Sequence, residues 1–182
     1  WKGWIILWSK EDFYNKVGRK TVDKCLNSLK RMNEGIDTLV NNPIAFNAFT
    51  FMNVCMRLQK NIAGYSKKHG QGIECNFGEF TNPSNPENDM TWYPFQIAFI
   101  LMNVNSIVNP ECSDREIVDL LYFPTGGGKT EAYLGLIAFT IAHRRMSRKP
   151  NDSYNKDGGV TAFLRYTLRL LTTQQRDKSQ EW

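Results

Sequence analysis

The chain has 182 residues, 41% of them hydrophobic and 23% charged, which is the balance of an ordinary globular protein and argues against wholesale disorder. No apolar run reaches the length of a membrane span, and residues 1–8 lack a signal-peptide cleavage pattern, so we expect a cytoplasmic protein with no membrane partner. Because the sequence opens on Trp1 and closes on a polar run typical of an unfinished helix, we also expect it to be a piece of a longer protein.

The net charge of +5 is not spread evenly along the chain. Residues 141–182 hold nine Lys/Arg and four Asp/Glu, so this stretch alone accounts for the excess. A basic field of this kind suits a polyanion, although a solvated helix face would explain it equally well. The four cysteines include no CxxC pair and the two histidines are far apart, so we expect reduced thiols and no zinc site.

Amphipathic helices are predicted in the first part of the chain. Apolar residues recur in steps of three and four over 22–40, which places one apolar stripe on one helix face, and Pro43 ends this helix. A second helix is predicted over 44–65, and the stretch after it is rich in turn formers. We therefore expect an α-helical region over 1–65 and a linker or loop over 66–90.

The pattern after residue 90 predicts the start of a parallel α/β sheet. The predicted elements are a helix at 93–108, a strand at 117–123, a helix at 130–145, a strand at 160–164 and a further helix from Leu168. Apolar runs of strand length that alternate with helices are typical of parallel sheets. This order predicts an α/β fold over 91–182, an incomplete P-loop NTPase sheet preceded by the helical region.

A glycine-rich loop lies between the first predicted strand and its helix. Glycines let backbone N–H groups approach a phosphate closely, and the following helix N-terminus adds a positive dipole end. Lys129 can reach the β- and γ-phosphates and the Thr130 hydroxyl can bind Mg²⁺, so these two residues are the catalytic candidates, with ATP and Mg²⁺ as cofactors. Phe123 stands where the strict loop pattern has its first glycine. The candidate nucleotide-binding residues here are Thr125, Gly126, Gly127, Gly128, Lys129, Thr130 and Glu131.

Gln96 follows Phe95 ahead of the first predicted strand, and this pair is a candidate for base recognition. An amide both donates and accepts, so Gln96 can pair with N6 and N7 of adenine, while an aromatic ring such as that of Phe95 can stack on the base. The arrangement resembles the adenine-reading element of superfamily 2 helicases. A surface glutamine at a helix start would give the same pattern.

Basic and hydroxyl side chains follow the second predicted strand. Thr167 is predicted at a strand-to-helix turn, where hydroxyl and N–H groups bind phosphate, and Arg165 and Arg169 add positive charge. These three residues are candidates for contacts with DNA. A helix N-cap with two solvated arginines would explain them equally well.

Three runs of the sequence resemble the large helicase family of the DISARM phage-defence systems. They are PFQIAFIL at 94–101, VDLLYFPTGGGKTEAYLG at 118–135 and RYTLRLLT at 165–172. The resemblance implies the N-terminal part of the first RecA-like domain of an ATP-dependent superfamily 2 DNA helicase or translocase, which works in bacterial antiviral defence with a partner subunit. It also implies that Gln96 reads adenine, that 126–130 hold the phosphates and Mg²⁺, and that Arg165 and Thr167 contact DNA.

ATP hydrolysis needs groups that the sequence does not show. No apolar run ending in an Asp-Glu pair follows the loop, so we expect little ATPase and no helicase activity from these residues alone. Two other functions stay open. One is a non-motor P-loop enzyme such as a kinase or signalling NTPase, and the other is a non-enzymatic module whose N-terminal helices dock a partner.

Overall fold

A computed structural model describes residues 17–122, 124, 126–149 and 156–165. Most of these residues are helical: α1 is Val17–Asn41, α2 is Pro43–Gly70, α3 is Phe77–Thr81, α4 is Pro94–Val108 and α5 is Lys129–Met146. Two short 3₁₀ turns lie at Pro86–Asn88 and Ser113–Glu116. The helices predicted over 22–40, 44–65, 93–108 and 130–145 are confirmed, each with ends shifted by a few residues.

The junction between α1 and α2 is a single residue, Asn42. Its side-chain oxygen accepts hydrogen bonds from the backbone N–H groups of Ile44 and Ala45, at 3.0 and 3.1 Å. Pro43 fits the first position of α2 because the N–H group that proline lacks would have no partner within the helix. A cap of this type stabilises a helix by about 1 kcal/mol, so these residues end one helix and start the next.

The core forms where the two N-terminal helices pack on the two helices that flank the glycine loop. Helix α1 packs mainly against α4, α2 packs mainly against α5, and α4 also contacts α5. The largest fully buried side chains come from three of these helices: Met52, Met56, Ile100, Val104 and Phe139. Leu39 brings α1 into the same apolar cluster.

Two glycines allow helices to approach closely in this core. A Cβ atom on Gly35 of α1 would lie 2.0 Å from the backbone oxygen of Leu101 of α4, so the two backbones are almost in contact. A Cβ atom on Gly135 of α5 would lie 2.8 Å from the Trp92 ring. Trp92 is fixed in turn by a 2.7 Å hydrogen bond from its Nε1 to Asn53 of α2.

The turn-rich stretch after α2 folds back onto that helix. Phe77 and Phe80 pack edge-on against Tyr65, with ring centroids 5.2 and 5.7 Å apart. The buried amide of Asn88 donates to the backbone oxygens of Glu79 and Asn82. These contacts line a cleft of about 380 Å³ between α2 and α3.

The predicted α/β fold is wrong: the described ranges contain no strand and no parallel sheet. Residues 117–122 are irregular, and Val118, Leu120 and Tyr122 are 93%, 87% and 91% exposed instead of buried. Residues 160–165 are irregular as well. A strand exists only when a neighbouring backbone shares its hydrogen bonds, and an apolar run cannot supply that neighbour. The helix predicted from Leu168 lies outside the described residues.

Within the described residues, none of the helices has both the length and the apolar character needed to cross a membrane. The same residues hold no group of three or more metal-ligating side chains. All four cysteines are free thiols, and Cys25 is the exposed one. Burial raises the pKa of the Cys55 thiol above its ordinary value, because a thiolate is poorly solvated between helices.

Candidate nucleotide-binding site

The glycine-rich loop turns sharply before α5 begins. Gly126 and Gly128 have φ angles of +80° and +86°, in the left-handed region that favours glycine. The N–H group of Gly127 donates to the Pro124 oxygen at 3.1 Å, which closes the turn. Gly128 is the residue that caps α5. Phe123 and the candidate ligand Thr125 lie outside the described residues.

Lys129 bends back over this turn. Its Nζ donates to the backbone oxygen of Pro124 at 3.0 Å, so the ammonium group stays at the loop instead of extending away from it. Thr130 is partly buried in the first turn of α5. The Glu131 carboxylate lies beside Gly128 and next to the positive end of the helix dipole, which favours its charge.

Gln96 is buried and holds the loop in place from α4. It is 3% exposed, and its Nε2 donates to the Gly128 oxygen at 2.8 Å. Its Oε1 accepts a 2.8 Å hydrogen bond from the N–H group of Tyr93, which closes the first turn of α4. A Cβ atom on Gly128 would lie 2.7 Å from Gln96 Nε2, so the contact requires glycine at that position. Gln96 therefore links the start of α4 to the start of α5.

An aromatic pair lies beside this link. The rings of Tyr93 and Phe95 are 6.2 Å apart and nearly parallel, at 8°. Tyr93 is 63% exposed, and a Cβ atom on Gly128 would lie 3.7 Å from its ring. Tyr93 is thus an exposed aromatic ring beside the loop, whereas the sequence pointed to Phe95. Tyr93 directly precedes Pro94-Phe95-Gln96 in the sequence, and this position was the signal that could have indicated it.

Basic side chains gather at the other end of α5. Arg144 donates from its guanidinium to the backbone oxygens of Gly158 and Val160 and to the Thr161 hydroxyl, which pins this segment to α5. Burial, and then the nearby charge of Lys156, lower the pKa of His143 below its ordinary value.

Arg165 is the one candidate DNA residue inside the described ranges, and its side chain is exposed. Thr167 and Arg169 lie outside those ranges. With two of the three candidates outside the described residues, their contact with DNA stays a prediction. In the described residues, the last turn of α5 is basic, and Arg144 in that turn holds residues 158–161 against the helix.

These features define a class of protein: a helical chain, over the described residues, with a lysine-bearing glycine turn at the N-terminus of a long helix. No family model matches the chain, and no solved structure matches it.

A curated protein similar to the chain is the DISARM protein DrmA of Bacillus paralicheniformis. The two are 44% identical over 181 residues, an alignment that covers 98% of this chain and 16% of DrmA. The likeness includes the N-terminal helices as well as the glycine loop. The chain is therefore related to one part of DrmA, and spans 16% of the length of that relative.

Proposed function

We propose that the chain binds the phosphates of ATP, with Mg²⁺, at the glycine loop in front of α5. The observation that carries the proposal is the position of Lys129, whose ammonium group lies 3.0 Å from the Pro124 oxygen across a turn made by two left-handed glycines. A triphosphate entering this turn meets the Lys129 ammonium group and the positive end of a helix dipole. Both favour a polyanion over a neutral ligand.

The side chains around the loop take separate roles in this proposal. Lys129 contacts the β- and γ-phosphates, and the Thr130 hydroxyl binds Mg²⁺ while Glu131 lies beside it. The adenine ring stacks on the exposed face of Tyr93, which Phe95 supports from its other side. Pairing of Gln96 with adenine N6 and N7 requires that this side chain, which is buried in the structure, becomes accessible when the nucleotide binds. Its amide then offers the base a second N–H and a second lone pair.

The wider activity rests on the resemblance to DISARM helicases and on the likeness to DrmA. We place the loop in an ATP-driven motor that acts on DNA in bacterial antiviral defence, together with a partner subunit. The basic side chains at the end of α5, with Arg165, Thr167 and Arg169, are proposed to contact the DNA backbone, since phosphate contacts supply most of the affinity for a polyanion.

Removing the loop ammonium group tests the proposal. Lys129→Ala in the complete gene product is expected to raise the Kd for MgATP by roughly 10- to 150-fold, because charge-assisted hydrogen bonds contribute about 1.5–3 kcal/mol. Fluorescence titration with a labelled ATP analogue measures the Kd, and phosphate release measures the ATPase.

The matched control is Lys24→Ala, which removes an exposed lysine of α1 outside the loop. Its Kd and ATPase are expected to equal those of the wild type. If Lys129→Ala keeps the wild-type Kd and ATPase, the phosphate-binding role of the loop is wrong.

A further inference from the structure

Arg31 of α1 is a buried arginine that reaches the segment leading into the glycine loop. It is 4% exposed, and its two terminal nitrogens donate to the two carboxylate oxygens of Asp119 at 2.7 Å each. Its Nε lies 2.8 Å from Asp114 Oδ2, an ionic contact without hydrogen-bond alignment. A fork of this kind fixes the direction of the carboxylate as well as its distance.

Asp119 is where the lead-in segment, defined here as residues 117–122, is held to the helices. Its side chain is 16% exposed, whereas its neighbours Val118 and Leu120 are about 90% exposed. The segment belongs to no sheet in the described part of the chain, so no ladder of backbone hydrogen bonds fixes it there. Its position relative to α1 therefore depends heavily on the pair that Asp119 forms with Arg31.

The same helix pair also holds the far end of the loop. Gly35, one turn beyond Arg31, brings α1 against the backbone of Leu101 of α4. Helix α4 carries Gln96, which donates to the oxygen of Gly128. The segment before the loop is thus attached to α1 and the end of the loop to α4, and the backbones of these two helices are almost in contact at Gly35.

We propose that Arg31 is a positioning residue for the phosphate loop, and that α1 and α4 form a frame that keeps the loop ready for a nucleotide. The inference rests on the proposed function, because it assigns Arg31 a part in ATP binding. A loop that is held in its binding shape loses less freedom when the ligand arrives, so a fixed frame raises affinity. The helices before residue 65 therefore act on the nucleotide site and are more than a docking surface.

The test compares three variants of the complete gene product. Arg31→Met removes the charge and the fork, and Asp119→Asn keeps the size of the carboxylate but removes its charge. Phe80→Ala removes a partly buried ring of α3 that packs on Tyr65 of α2, outside the α1–α4 frame, so it serves as the destabilised control. Tm, the Kd for MgATP and deuterium exchange of residues 126–133 without nucleotide are measured for each.

Arg31→Met and Asp119→Asn are expected to weaken MgATP binding about tenfold and to speed exchange at 126–133. Phe80→Ala is expected to lower the Tm while its Kd and its loop exchange, measured well below that Tm, stay at the wild-type level. A role limited to stability would move the Tm alone in all three variants.

Each outcome decides the question. If Arg31→Met does not fold, Asp119→Asn carries the comparison, since its altered side chain is on the partly exposed segment. If both variants match Phe80→Ala in Kd and exchange, Arg31 does not position the loop. If the wild type binds no MgATP, the proposed function fails, and the exchange data still show whether Arg31 holds the loop.

Discussion

Gln96 is a buried side chain that fixes the position of the glycine loop. It joins the backbone of Tyr93 to the backbone of Gly128 while almost fully buried. A buried amide with both ends bonded is costly to remove, because the two backbone groups lose their partners in a place that water reaches poorly. The residue that the sequence suggested as a reader of adenine is therefore also a brace for the phosphate loop.

Gln96→Ala is expected to weaken the binding of both ATP and GTP, with the larger loss for ATP. Unpairing the Gly128 oxygen costs about 1–3 kcal/mol, so a Kd increase of about tenfold is expected for GTP, and a larger increase for ATP, which also loses the pairing of its base with the amide. Competition titrations against a labelled analogue give both constants. Gln71→Ala, at an exposed position after α2, is the control and should leave both unchanged. Wild-type affinity for ATP in Gln96→Ala would contradict both roles.

Helix α1 packs closely on α4 because residue 35 is glycine. The gap at Gly35 is so small that a methyl group would meet the Leu101 oxygen at 2.0 Å. Alanine has a better helix propensity than glycine by about 1 kcal/mol, but that gain is local. The clash is with backbone, which cannot rotate away, so helix separation is the way to relieve it.

Gly35→Ala is expected to destabilise the protein by about 2 kcal/mol, since overpacking against backbone costs up to about 3 kcal/mol and the better helix propensity of alanine offsets about 1 kcal/mol of it. Thermal denaturation followed by circular dichroism measures the change. Gly70→Ala is the matched control because no atom lies within 4 Å of its added Cβ, and its Tm should stay level or rise slightly. Equal Tm values for the two variants would show that α1 and α4 are not packed this closely.

The helices could be predicted from the sequence because their signals are local. The apolar spacing over 22–40 and the Asn42-Pro43 junction lie within a few residues of the structure that they specify. Strands could not be predicted from local signals alone. An apolar run such as 117–122 has strand length, but a strand also needs a partner elsewhere in the chain, and none lies among the described residues.

At the scale of the whole molecule, the site joins parts that are far apart in sequence. Gln96 and Gly128 are 32 residues apart, and Arg31 and Asp119 are 88 apart. The loop itself could be expected from its glycines and from Lys129, whose properties belong to single residues. The role of Gln96 in holding the loop and the frame of α1 and α4 could not be predicted from the sequence. Arg31 lies among the polar residues of an amphipathic helix, and its inward direction depends on the packing of α1 on α4.

The packing also relates the two halves of the sequence. Each N-terminal helix is paired with one that flanks the loop, α1 with α4 and α2 with α5. The likeness to DrmA covers 98% of the chain, so it extends over both members of each pair. The helices before residue 65 and the loop after residue 123 are therefore best treated as one unit when variants are designed.

Nucleotide binding at the glycine loop can be tested by deuterium exchange of the complete gene product with and without MgATP. We expect MgATP to slow exchange in the peptide that spans residues 126–133, and Lys129→Ala to abolish this protection. The cleft between α2 and α3, with its lysines and glutamates, provides the internal comparison and should show no change. Protection of that cleft with none at 126–133, or no protection anywhere at saturating MgATP, would contradict nucleotide binding at the glycine loop.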